Sequence, residues 1–418
     1  MNRPHAPLQL NGDFIWATGI EDTFISAPHA VTGRTLDEYA LTEHYSRWKE
    51  DLGLIAELGV NAARYGIPWY RVCPRRGEYD WSWTDQVLET MVTTHRVEPI
   101  IDLVHYGTPL WLDQSFYNPD YPQLVAEYSY AFAEHYHGLC SWYTPLNEPR
   151  VNAWYAGRLG WWPPYGRSDR GFARMMLQLC RGICLAEQAI RAAEPAAVLV
   201  HVDATDLFVP ATVSDSALQE HAWFRQEQVF LALDLVQGRL SDVGPAYEWM
   251  LRNGVTAADI QWFQAHKARP DVIGYNMYPM FSRKIVSRSP SGGMRVRIMP
   301  CWAETLSELT GMYAERYAPI PIMVTETASA GSIKRRIKWI DDSTETIRQA
   351  RLAGQNVVGY TFWPLFSLVA WAYQRGKAEA ANYLVDMGLW NLRPGPDGLS
   401  RIRTPAVDAF QQAIRRPI

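Results

Sequence analysis

Pro99-Ile100-Ile101-Asp102-Leu103-Val104-His105 is the stretch on which the fold turns. A strand with one face in water alternates polar and apolar side chains, and this run does not. It therefore reads as a parallel strand buried on both faces, with His105 standing just past its end. Seven further short apolar, β-branched or aromatic runs share the character, so that the eight predicted strands cover 14–18, 61–67, 99–104, 142–146, 198–202, 272–276, 322–325 and 357–362. Long amphipathic segments separate them, and this β–α alternation predicts a parallel sheet with crossover helices. Between the first two runs Tyr45, Trp48, Leu52, Ile55 and Leu58 fall at helical spacing, and Gly59 stands where such a helix stops. Further helices are expected over 123–137, 172–193, 216–235, 303–317 and 333–353, the last ending at Gly354. Eight strands argue for closure, giving an α/β fold: a (β/α)8 barrel, with residues 1–418 as one catalytic domain. Residues 283–300, rich in Gly, Ser and Arg, are expected to form a mobile loop after the sixth strand.

Composition narrows the function. The 40 basic and 44 acidic residues nearly cancel, and no Lys/Arg block suggests a nucleic-acid or membrane surface. A small-molecule partner is expected instead, with the oligomeric state left open. The 18 tryptophans suit a carbohydrate, whose C–H faces pack on aromatic rings, although tryptophans also fill large cores. Cys73, Cys140, Cys180, Cys184 and Cys301 are odd in number and lack zinc-ligand spacing, so free thiols in a reducing compartment are expected. Residues 1–11 lack a basic start followed by an apolar stretch, and a cytoplasmic location is the default expectation. No His-Glu-x-x-His pattern and no Gly-rich loop opening a helix occurs, so neither a metal nor another cofactor is implied.

In a closed α/β barrel the chemistry is built at the C-terminal ends of the strands. Polar residues found there are His105, Asn147 and Glu148, Asn276 and Tyr278, and Glu326. Two carboxylates at the ends of different strands can flank one bond, which is the arrangement glycoside cleavage requires. Taken singly, a Glu before proline is commonly a solvated helix-start residue, and a Glu after a strand is often an ion-pair partner.

The motifs around these residues resemble those of family 1 glycoside hydrolases, the β-glucosidase family. Thr144-Pro145-Leu146-Asn147-Glu148-Pro149 is similar to the family's acid/base motif. Val324-Thr325-Glu326-Thr327 is similar to its nucleophile motif, departing at Thr327 and Ala328. Further matches run almost end to end: Phe14-x-Trp16, His44-Tyr45-x-x-Trp48-Lys49-Glu50-Asp51, Arg64 through Arg71, Leu103-x-His105, Gly274-x-Asn276-x-Tyr278, and Gly359-Tyr360-x-x-Trp363 to Trp371. The resemblance implies a retaining β-glycosidase, with Glu326 as nucleophile and Glu148 as general acid/base, the two carboxyls about 5 Å apart. It implies that Arg64, Asn147 and Tyr278 surround the nucleophile, that His105 and Asn276 face the sugar, and that Trp363 and Trp371 stack on it or bind its hydroxyls. Trp161-Trp162-Pro163-Pro164-Tyr165 is expected to wall a leaving-group site.

Two residues of the family's far-hydroxyl clamp are replaced: its glutamine falls on Phe24 and its glutamate on Ala370. Hydroxyls of glucose buried there would lack partners, at about 1–3 kcal/mol each. A glycone other than plain glucose or galactose is expected, such as a deoxy, acylated or furanose sugar, unless Glu21 or Asp22 restores the clamp. A phosphorylated sugar is disfavoured, since Lys377 stands without the rest of a phosphate site. Transglycosylation by the same carboxylates and a non-catalytic carbohydrate-binding barrel are the competing readings.

Overall fold

The structure is a computed structural model, and it describes every residue except 1, 2, 4, 11 and 241. The expected absence of a leader draws on residues 1–11, four of which lie outside the described residues. Eight parallel strands close into a barrel in chain order: β1 (Ile15–Gly19), β2 (Ala62–Gly66), β3 (Glu98–Asp102), β4 (Trp142–Thr144), β5 (Val198–Ala204), β6 (Val272–Asn276), β7 (Ile322–Thr327) and β8 (Val357–Phe362). β8 pairs back onto β1, with Ile15 beside Gly359 and Thr18 beside Phe362. All eight predicted runs become barrel strands, displaced by at most a few residues.

The crossover helices are α1 (His44–Leu58), α2 (Ser82–Glu89, continued by a wider turn to Thr94), α3 (Tyr121–His135), α4 (Asp169–Ala193), α5 (Ser216–Val236), α6 (Ala303–Arg316) and α7 (Ile333–Leu352), and α8 (Pro405–Arg415) follows β8. Gly59 and Gly354 take left-handed φ of 78° and 85°, ending α1 and α7 where the sequence placed the stops. α5, α6 and α7 begin where expected, while α3 and α4 start two and three residues earlier than the apolar periodicity suggests. Ser168 accepts from the Gly171 amide to open α4 three residues before Phe172.

Two apolar layers result. Ile15, Ala17, Ala62, Ile100, Trp142, Val200, Val202, Val272 and Met323 pack together inside the barrel, while a much larger cluster fills the space between strands and helices. Trp142 plugs the floor, fully buried, its Nε1 donating to the Leu8 carbonyl at 3.0 Å. Because side chains alternate along a strand, the residues two positions further up the same inward rows are Arg64, Asp102 and Thr144. An apolar floor and a polar mouth are thus written into alternate positions of the same strands.

The 44–51 motif proves to be architectural. His44 bonds Asp51 at 2.8 Å and the Tyr65 hydroxyl at 2.6 Å, and Arg401 closes on Asp51 at 2.8 Å, all four buried or nearly so. This network ties α1 to the hairpin Trp390–Gly395/Gly398–Arg403. The segment expected to be a mobile loop, 283–300, instead forms strands Arg283–Arg288 and Met294–Met299, paired with each other and, in parallel, with Leu207–Pro210. Its Gly-Ser content supplies only the turn, where Gly292 has φ 84°, and Met294-Arg295-Val296-Arg297-Ile298 carries the period-2 alternation of a strand. The cysteines are free, four buried and Cys301 partly so. No described helix is long and apolar enough to cross a membrane.

Candidate active site

The polar mouth gathers every site residue expected from the sequence. Arg64, wholly buried on β2, is the hub: Nη1 bonds Glu326 Oε1, and Nη2 bonds Asp102 and, at 2.9 Å, Asn147 Oδ1. Such branching is what a planar guanidinium offers and an ammonium does not. The Tyr278 hydroxyl donates to the other oxygen, Glu326 Oε2, at 2.6 Å. Glu326 owes its aim to an irregularity in β7. Val324 lies opposite Tyr275 and Glu326 opposite Asn276, so one extra residue, Thr325, is inserted there. A bulge of this kind re-aims the side chain that follows it.

Glu148 ends the run after β4 in a left-handed backbone, φ 47°, with its amide held by the Val202 carbonyl at 3.1 Å. Strain at a non-glycine residue persists only where its surroundings enforce it. The Glu148 carboxyl receives the Tyr106 hydroxyl on Oε2 and Asn276 Nδ2 at 2.8 Å on Oε1. Asn276 is fixed in turn by Thr325, whose hydroxyl donates to Asn276 Oδ1 at 2.7 Å. Through Asn276, Asn147 and Arg64 the two carboxyls belong to one network.

Their environments differ. Burial pushes Glu326 upward from the ordinary glutamate range, but the Arg64 guanidinium and the Tyr278 hydroxyl oppose that push. Glu148 touches no cation among the described residues. Burial and the neighbouring charge of Glu326 raise it to about 8, against the Tyr106 and Asn276 hydrogen bonds. The pair therefore separates into an ionised Glu326 and a protonated Glu148 near neutrality.

His105 Nδ1 lies 2.7 Å from Asp22 Oδ1, and its Nε2 lies 3.0 Å from Asn147 Nδ2. Asn147 Oδ1 is engaged by Arg64, so its Nδ2 turns toward the ring and the Tyr106 hydroxyl. On the other side Nδ1 bonds Asp102 Oδ2 at 3.3 Å with Asp22 beside it, and, against the burial of the ring, the two carboxylates push the imidazole well above its ordinary range. Asp22, Asp102 and His105 offer metal-ligand atoms within 4.8 Å of one another. Asp102 already bonds both His105 Nδ1 and Arg64, and Asp22 lies against the same imidazole nitrogen at 2.7 Å, so the trio reads as a brace for the imidazole and Arg64.

Trp363 lies against Gly19, where an added Cβ would fall 2.0 Å from the indole, and it stands parallel to the His105 ring at 6.3 Å. Its Nε1 donates to Glu21 Oε2 at 3.2 Å. Trp371 is half-buried and edge-on to Tyr106, Tyr155 and Trp162, at 5.4, 5.3 and 5.0 Å. These rings wall the side of the site next to Glu148, and from the 161–165 run Trp162 joins them while Trp161 packs on Tyr155 at 5.0 Å. Tyr106 was not foreseen, because an aromatic residue after a buried strand reads as core; only its place beside His105 hinted otherwise.

A protein-family model described as glycosyl hydrolase family 1 matches residues 16–378. The chain is similar to a 1,4-beta-D-glucan glucohydrolase of Thermotoga neapolitana, 26% identical over 396 residues that cover 87% of this chain and 90% of that protein. It is also similar to beta-glucosidase 47 of Arabidopsis thaliana, 25% identical over 88% of this chain and 74% of the relative. Among solved structures, a family 1 β-glucosidase from Thermotoga maritima superposes with a TM-score of 0.83 at 20% identity, covering 96% of this chain and 97% of that one.

Proposed function

The chain belongs to glycosyl hydrolase family 1, and from that membership we propose that this glycoside hydrolase is a retaining β-glycosidase using Glu326 and Glu148 for double displacement. The observation that carries the reading is the opposed environment of two buried carboxyls in one network: one held by a guanidinium and a phenol, the other without a cation and beside the first one's charge.

Glu326 attacks the anomeric carbon while the bond to the leaving oxygen breaks, and that oxygen takes the proton of Glu148. The products of this step are the freed alcohol and an ester between the sugar and Glu326. Glu148, now a carboxylate, takes a proton from water as the water oxygen attacks the same carbon, and the ester bond returns its electron pair to Glu326. Both groups end as they began, and two inversions give net retention. Arg64 and Tyr278 hold the nucleophile charged and oriented, and Asn276 and Tyr106 hold the acid. The rings of Tyr106, Tyr155, Trp162 and Trp371 offer a face for the leaving group.

The relatives carry names of enzymes acting on glucosides and glucans. Our reading departs from theirs in the glycone, since Phe24 and Ala370 stand at two positions where the family clamps far hydroxyls. A panel of activated 2-fluoro β-glycosides tests sugar and nucleophile together. One member is expected to inactivate the protein in proportion to time, leaving its mass on the peptide that contains Glu326. Attachment to another residue would refute the assignment.

A further inference from the structure

The pocket has not lost polarity at the two altered positions; two carboxyls from other positions supply it. Phe24 turns its ring into the core, edge-on to Tyr39 at 4.9 Å. Glu21, three residues earlier, takes the place at the pocket, only 6% exposed, with Oε2 accepting from Trp363 Nε1 at 3.2 Å and Oε1 from the Thr23 hydroxyl at 2.6 Å. The Trp363 ring that it bonds lies under the Arg64 guanidinium at 5.0 Å, and the next residue, Asp22, lies 2.7 Å from His105, so Glu21 stands beside the residues that build the mouth. Beside Ala370, the Val369 amide donates to Glu38 Oε2 at 3.0 Å. Glu38 is wholly buried, its Oε1 has no hydrogen-bond partner among the described residues, and burial together with the neighbouring Glu21 charge pushes it well above the ordinary glutamate range, so that it keeps its proton beside the Glu21 carboxylate.

Two carboxyls from separate segments, the end of β1 and Glu38–Leu41, thus converge where the family places one amide and one carboxyl. The Arg64 guanidinium is turned to Glu326, Asp102 and Asn147, with its Nε left without a hydrogen-bond partner among the described residues. His105 Nδ1 faces Asp102 and Asp22. A sugar hydroxyl can donate to Glu21 but leaves its carboxylate charge unbalanced. An ammonium donates and balances it, and charge-assisted hydrogen bonds in a buried site are the stronger kind.

We propose that Glu21, backed by Glu38, forms a carboxylate subsite that selects β-glycosides whose glycone carries a basic amino group in place of one far hydroxyl. The proposal rests on the glycosidase reading above. Its test uses the full-length protein at neutral pH with 4-nitrophenyl β-glucoside and its 3-, 4- and 6-amino-deoxy analogues. One amino glycoside is expected to exceed the glucoside in kcat/KM by about 10- to 100-fold, chiefly through KM. Glu21→Gln is expected to bring that ratio close to one, and Glu38→Gln to lower it less. The ratio is taken within each variant, so loss of folded protein cancels. A glucoside turned over as well as every amino analogue by the unaltered protein overturns the proposal, and so does a ratio unmoved by Glu21→Gln. If neither class is hydrolysed and no 2-fluoro sugar attaches at Glu326, the catalytic reading falls and takes this proposal with it.

Discussion

Glu326→Gln is expected to lower kcat/KM toward 4-nitrophenyl β-glycosides by about 10⁴- to 10⁶-fold, the scale on which removal of a covalent nucleophile acts. The amide keeps the shape of the side chain but offers no charge to attack the anomeric carbon. It also keeps the contacts: its oxygen can accept from Arg64 as Oε1 does now, and its NH2 can donate to the Tyr278 oxygen. Arg64 retains Asp102 and Asn147, so no buried cation is stranded. The variant should therefore unfold at nearly the temperature of the unaltered protein while losing turnover, and circular dichroism beside initial rates checks both. Activity within about 10-fold of the unaltered protein would show that Glu326 is not the nucleophile.

Glu148→Gln has a smaller but more diagnostic effect, a fall of about 10²- to 10⁴-fold for substrates whose leaving group needs a proton. A 2,4-dinitrophenolate departs without one, so with that leaving group the first step survives and the second, which needs a base to activate water, becomes slow. A burst of one phenolate per site followed by a slow steady state is the expected trace. Azide, which attacks without losing a proton, should restore the rate and appear in the product. The same residue sets the alkaline side of the pH profile. With Glu148 raised to about 8 by burial and by the Glu326 charge, the acid form persists through neutrality, and kcat/KM falls as pH rises past that value. On the acid side activity falls as Glu326 takes up its proton, at a pH above the ordinary glutamate range because burial raises it. The two limbs belong to the coupled pair, and Glu148→Gln should remove the alkaline one. An alkaline limb unchanged in the variant would mean that another group holds the proton.

Much of this was legible in the sequence because barrel strands are buried on both faces. Pro99 to Val104, interrupted only by Asp102, and Val272 to Tyr275 show as short apolar stretches without polar alternation, and the residue that follows each stretch stands at the mouth. His105, Asn147, Glu148, Asn276, Tyr278 and Glu326 could be picked out for that reason alone. What stayed hidden depends on contacts that no spacing encodes. Glu21 meets the Trp363 indole across 342 residues of chain, and Glu38 reaches the Val369 amide across 331. Phe24 and Ala370 therefore looked like a loss of polarity, since the side chains that replace it arrive from other positions. The extra residue in β7 is likewise invisible locally, because Val324-Thr325-Glu326-Thr327 reads the same with or without a bulge. The 283–300 hairpin was missed for the opposite reason: its Gly-Ser turn dominates the composition, and its second strand lies exposed, without the core-facing residues that usually betray a strand.

The central claim is that two carboxyls, Glu326 charged and Glu148 protonated, act in succession on one face of the anomeric carbon and then on the other. Proton NMR of the anomeric region during the first minutes of hydrolysis, before mutarotation, tests it most directly. The β-anomer of the free sugar is expected to appear first and to convert slowly to the α-anomer; initial release of the α-anomer would contradict double displacement through Glu326.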